Sequence, residues 1–172
     1  PDPGLMAAIG APEGSVLETI GQIDGYVIAA NRNSPNSTVI AGETEAVRLA
    51  MKALSDAGAT VIPLQTSHAF HTDIVAPANG PLKRFLESID ISLPDIPITA
   101  NVDGSFYPSE AKDVRSAILG KLAPQMSSPV NWIDQIRTMH AAGARLFLEV
   151  GPKRALSSTV NDILGGDVKS ST

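Results

Sequence analysis

The sequence predicts an α/β (α+β) protein in two parts, and three observations lead there. Short apolar and β-branched runs alternate with helical periodicity in the order β-α-β-β-α-β through residue 64. After that, longer helical stretches enclose only two strand-like runs. Hydrophobic residues make up 43% of the chain and charged residues 18%, a balance that builds a core and argues against disorder.

The elements follow from local patterns. Residues 5–9 are apolar and bounded by Gly4 and Gly10, which predicts the first strand. Pro12 and Glu13 open a short helix to about Gly21, with Val16, Leu17 and Ile20 at helical spacing. Residues 26–30 predict a second strand, and the turn-rich segment "NRNSPNS" follows it. Residues 38–41 predict a third strand, ended by Gly42. Residues 43–57 predict an amphipathic helix with Val47, Ala50, Met51 and Leu54 on one face, stopped by Gly58. Residues 59–64, rich in β-branched side chains, predict the fourth strand. This is the ferredoxin-like plan, a small antiparallel sheet covered on one face by two helices. Residues 1–66 are therefore expected as a ferredoxin-like small subdomain and 67–172 as a second part.

In the second part, residues 72–89 are helical in period, with Val75, Ala78, Leu82, Phe85 and Ile89 on one face. Pro77 and the Gly80-Pro81 pair should kink or divide that helix. A strand is expected over 96–102, then helices over 110–122 and 129–142, the latter with Pro129 in its first turn and Gly143 at its end. Residues 146–150 predict a continuous apolar strand and 154–164 a last helix, while the tail "GGDVKSST" reads as frayed. Two strands are too few for a doubly wound sheet. Residues 67–172 thus read as part of a larger α/β domain, with the remaining strands expected before residue 1.

Charge and composition exclude several classes. The net charge of −5 and the lack of a long basic run argue against nucleic-acid binding. The absence of cysteine excludes disulfides, thiolate metal sites and a cysteine nucleophile. No apolar run reaches membrane length, so no membrane association is expected and a cytoplasmic location is the default.

The histidines carry the chemistry. The chain has three, and two of them stand in "TSHAFHTDIV", just past the fourth strand. His71 lies where α/β proteins present functional groups, and imidazole titrates near neutrality, so it is a candidate general base. A packed helix-start histidine is the competing reading. His68 could pair with His71 on a metal, but no acidic or sulfur ligands accompany them, so no metal site is expected. His140 sits late in a helix, where it favours the negative end. The asparagines of "ANRNSPNS" suit a turn, or else contact a ligand. The doublets Lys83-Arg84 and Lys153-Arg154 are solvated faces or docking points for an acidic or phosphate-bearing partner. No G-x-S-x-G elbow, phosphate loop or dinucleotide glycine fingerprint occurs. The residues alone thus supply a candidate base without a nucleophile.

Four segments in register resemble one family: "ANRNSPNSTVIAG" at 30–42, "SHAFHT" at 67–72, "QMSSPVNW" at 125–132 and "FLEVGPKRAL" at 147–156. The chain resembles the C-terminal portion of the acyltransferase (malonyl-CoA:acyl-carrier-protein transacylase) domain of type I polyketide synthases and fatty acid synthases. The resemblance covers residues 4–164. It implies an α/β-hydrolase-like large subdomain with a ferredoxin-like one inserted, and an active site in the cleft between them. It also implies ping-pong chemistry. A serine in a G-H-S-x-G elbow takes malonyl from malonyl-CoA, and the phosphopantetheine thiol of an acyl carrier protein takes it from the serine. No bound cofactor is implied, since phosphopantetheine and the CoA thioester are substrates.

By the same resemblance His71 is the general base and the main-chain carbonyl of Gln125 orients its ring. His68, Phe70 and Asn31 are carried over as substrate-binding or pocket residues. Phe70 in the His-Ala-Phe-His signature matches malonyl-type members, where the ring crowds an α-methyl branch. Three departures occur: Ser37 where glutamine is usual, Lys153 where glycine is usual, and the Gly80-Pro81 break. The serine elbow, the oxyanion donors and the carboxylate-binding arginine are expected in an N-terminal half that acts as partner. The chain alone is therefore expected to be inactive. A non-catalytic carrier-protein docking or structural module of a megasynthase is the alternative.

Overall fold

A computed structural model describes residues 2–110, 113–165 and 169–171, the last three as backbone. Strand β1 (Leu5–Gly10), helix α1 (Glu13–Ile20), strands β2 (Val27–Ser34) and β3 (Ser37–Gly42), helix α2 (Thr44–Asp56) and strand β4 (Thr60–Pro63) come first. The four strands form one antiparallel sheet in the order β2-β3-β1-β4. This is the mixed α/β, ferredoxin-like arrangement expected from the periodicity.

Period-two alternation gives this sheet two buried faces. On one face Ala7, Ile9 and Ile40 meet Val16 and Ile20 of α1 and Val47, Ala50 and Leu54 of α2. Ile9 and Ile40 are fully buried, each contributing about 1.5–3 kcal/mol relative to exposure. On the opposite face Met6, Val39 and Ala41 pack with Ala30, Ala69, Phe70 and Ile74. The second face is therefore covered by the histidine-bearing segment itself. Backbone contact there is close: the Ala69 N–H donates to the Pro3 oxygen at 2.8 Å. A Cβ on Gly4 would lie 2.6 Å from that of Ala69, and Gly4 has φ +75°, so no other residue fits without strain.

The "NRNSPNS" segment is not a long loop. Strand β2 continues to Ser34 and only Pro35-Asn36 form the turn, a tight hairpin with register shifts at Ala29/Asn31 and Arg32/Ser34. Its asparagines are thus largely strand residues. The helix expected over 72–89 is divided into a 3-10 helix (Asp73–Ala78), which contains Pro77, and α3 (Asn79–Leu86). The phase of the first piece does not carry into the second. Leu86 is buried, while Phe85, expected on the inner face, is 62% exposed.

The expected strand over 96–102 does not form. Pro94 and Pro97 remove ladder donors, and the segment closes on itself instead. The Ala100 N–H donates to Ser105 and the Tyr107 N–H to Ile98, leaving a single bridge between Thr99 and Phe106. Gln135 ties this turn down by bonding Thr99 and Asn101. Helix α4 (Val114–Leu122) is shorter than expected, with residues 111 and 112 outside the described residues. A short 3-10 helix (Ala123–Met126) follows. Helix α5 (Trp132–Ala141) starts after Pro129, because Val130 pairs with β2 instead of entering a helix.

Strand β5 (Leu146–Leu148), helix α6 (Ala155–Leu164) and strand β6 (Lys169–Ser171) complete the order. β6 pairs parallel with β5, which corrects the frayed reading of the tail at residues 169–171. Residues 166–168 and 172 of that tail lie outside the described residues. Glu149 stabilises the start of α6 by accepting from the N–H groups of Leu156 and Ser157. The Ser157 N–H, first among these, holds the carboxyl below its usual range.

Candidate active site

His71 sits between β4 and the 3-10 helix in a left-handed backbone conformation, with φ 63°. Such a φ is uncommon outside glycine and concentrates at functional positions. The surrounding structure over-determines it. Thr72, fully buried, donates through Oγ1 to the Ala69 oxygen at 2.6 Å and accepts from Ile74 N–H. The His71 N–H donates to the Met126 oxygen at 2.8 Å.

The ring is equally constrained. Nδ1 lies 3.1 Å from the Gln125 oxygen and 3.1 Å from the Ser128 oxygen. Both partners are carbonyl oxygens, which can only accept, so Nδ1 carries the proton. In the neutral ring this leaves the Nε2 lone pair as the basic site. The ring lines a cavity of about 340 Å³ together with Leu82, Leu86, Leu122, Gln125 and Met126. The arrangement can hold a neutral imidazole in one tautomer and one orientation, which is what proton abstraction requires.

The other expected site residues divide. Gln125 meets His71 through its main-chain oxygen. Phe70 is half-buried against the sheet and lies edge-on to His68, with ring centroids 6.3 Å apart. His68 is exposed and its Nδ1 lies 3.2 Å from the Ser67 hydroxyl, so the two imidazoles have separate partners. Asn31 lies on β2, in register with Val130. Three positions escaped the sequence reading: the Ser128 and Met126 carbonyls and the pairing of Val130. Proline biases the residue before it to extended backbone, and Pro129 after Ser128 was the one available signal.

No family model matches the chain. The malonyl CoA-acyl carrier protein transacylase of Bacillus subtilis is 33% identical over 165 residues, 93% of this chain and 50% of that protein. The crystal structure of the corresponding transacylase from Clostridium perfringens superposes with a TM-score of 0.86 at 32% identity, covering 97% of this chain and 52% of that one. Over nearly its whole length the chain is similar to malonyl-CoA:acyl-carrier-protein transacylases. A second similar solved structure, a malonyl transacylase in complex with a type II polyketide synthase acyl-carrier protein, gives a TM-score of 0.85 at 31% identity. It is covered to 55%, against 99% of this chain. The chain spans about half the length of these transacylases. No helix among the described residues is long and apolar enough to cross a membrane.

Proposed function

We propose that the chain supplies the general base of a malonyl-type acyl transfer, with His71 in that role. The observation that carries it is the Nδ1 proton shared between the Gln125 and Ser128 carbonyls, which leaves Nε2 as base. Nε2 takes the proton of a serine hydroxyl as that oxygen attacks the carbonyl of malonyl-CoA. The imidazolium then returns the proton to the departing CoA thiolate. In the second half-reaction Nε2 takes the proton of a phosphopantetheine thiol, which attacks the acyl-serine, and the serine oxygen recovers the proton.

The serine comes from polypeptide outside these 172 residues. Among the described residues no serine hydroxyl is hydrogen-bonded to His71. Strand β5 and the residues after it also leave Leu148 67% and Val150 90% exposed, an apolar surface that suits a completing half of the domain. The division at residue 66 is then the line between a ferredoxin-like subdomain and the C-terminal part of the α/β-hydrolase-like one. The carrier-protein complex of a relative supports an acyl carrier protein as acceptor. Phe70 and His68 form one wall of the acyl pocket and Asn31 contributes from β2.

The decisive experiment uses the complete acyltransferase and intact-mass detection of the malonyl-enzyme. Malonylation is expected for the complete protein and not for the 172-residue chain alone. A covalent malonyl adduct on the isolated chain would overturn the assignment of the nucleophile elsewhere. Carrier-protein binding by a complete protein that never acylates would favour the docking-module reading instead.

A further inference from the structure

We propose that Arg32 is a positioning residue that holds the His71 imidazole in its base tautomer, through the segment Ser128–Asn131. The inference rests on His71 as base, but its geometry stands apart from that role.

Strand β2 is an edge strand, and among the described residues Val130 is the one that bridges to its outer edge. The Arg32 N–H donates to the Val130 oxygen at 3.0 Å, and the Val130 N–H donates to the Ala30 oxygen at 2.8 Å. Two residues before Val130 stands Ser128, whose oxygen receives the His71 Nδ1 proton. Pro129, between them, has a fixed φ of about −65° and forms a stiff link. Displacement of Val130 therefore displaces the Ser128 carbonyl.

Two backbone hydrogen bonds at a strand edge would hold such a segment weakly. The Arg32 side chain adds a clasp across the same seam. Its guanidinium bonds Glu13 on α1, Asp134 on α5 at 3.1 Å and, at the limit of hydrogen bonding, Asn131 at 3.5 Å. The Glu13 carboxylate, foremost, raises the Arg32 pKa further, so the charge is permanent. The clasp bridges both sides of the Val130 contact, with Glu13 on α1 and, past Val130 in sequence, Asn131 and then Asp134 on α5. Asn131 is itself fixed by donating to the Val102 oxygen at 2.8 Å. An exposed ion pair is worth little in stability, but this one is partly buried, branched and placed on the tether of a catalytic carbonyl.

The test is nitrogen-15 NMR of the imidazoles in the 172-residue chain, which reads tautomer and Nδ1 proton exchange without any acyl transfer. The neutral His71 ring is expected as the Nδ1–H tautomer with a slowly exchanging proton. Arg32→Met is expected to give mixed tautomers and exchange at least about tenfold faster, with Arg32→Lys restoring part of the protection. Lys52→Met, which removes an ion pair on α2, is expected to change neither. An Arg32→Met chain with a native amide spectrum and unchanged tautomer and exchange would overturn the proposal. So would an equal loss in Lys52→Met. Should Arg32→Met not fold, Glu13→Gln combined with Asp134→Asn is read in the same way. In the complete acyltransferase, Arg32→Met should lower kcat of acylation about 10- to 100-fold with KM little changed. A lost tautomer with undiminished acylation would keep the clasp and instead overturn His71 as base.

Discussion

The Nδ1 atom of His71 lies 3.1 Å from the main-chain oxygen of Gln125, 54 residues further along the chain. The glutamine is thus used through an atom every residue possesses. In the complete acyltransferase Gln125→Ala should keep acylation within a few-fold of the parent, whereas His71→Ala should lose about 10²- to 10⁴-fold. Rates of malonyl-enzyme formation measure both. Equal losses for the two variants would contradict a main-chain role for Gln125.

Phe70 packs beneath the sheet beside Met6, Ala41 and Ile74, with one ring edge toward His68. Phe70→Ser removes that bulk from the residue preceding His71. In the complete protein it should shift preference toward an α-methyl-branched extender by about 1–3 kcal/mol, read as the ratio of kcat/KM for the two acyl-CoAs. An unchanged ratio would remove Phe70 from the acyl pocket.

Lys153 stands in a left-handed conformation, φ 68°, in the turn before α6. An L side chain there costs about 1–2 kcal/mol, part of which glycine returns through a more flexible unfolded chain. Lys153→Gly should raise the urea midpoint, with a net stabilisation of about 0.5–1 kcal/mol. A lowered midpoint would show that the lysine makes compensating contacts in solution.

Glu149 holds the first turn of α6, and its carboxyl lies below the ordinary glutamate range chiefly through the Ser157 N–H. A depressed folded-state pKa means the unfolded chain binds more protons below about pH 4.3. The contribution is complete above that pH and is lost as pH falls through the folded value. Protection of the Leu156 and Ser157 amides, taken relative to their intrinsic exchange rates at each pH, should therefore fall on acidification. Glu149→Gln should flatten that local pH dependence, and a profile identical to the parent would rule the carboxylate out as its cause.

Sequence alone determined the β-α-β-β-α-β order, because each of those elements is set by local spacing and stopped by a nearby glycine or proline. It also located the histidine segment. It misjudged what depends on distant partners. Residues 96–102 carry a strand's composition but hydrogen-bond locally, and Val130 left the expected helix to pair with β2. Residues 169–171 gained a ladder only because β5 lies alongside. The left-handed φ of His71, the second carbonyl at Ser128 and the Arg32 clasp were decided by tertiary structure alone. Each rests on backbone hydrogen bonds or charges joined across large sequence separations, and main-chain atoms carry no residue-specific signature. The chain announces which side chain can take a proton; only the fold decides which of its nitrogens does.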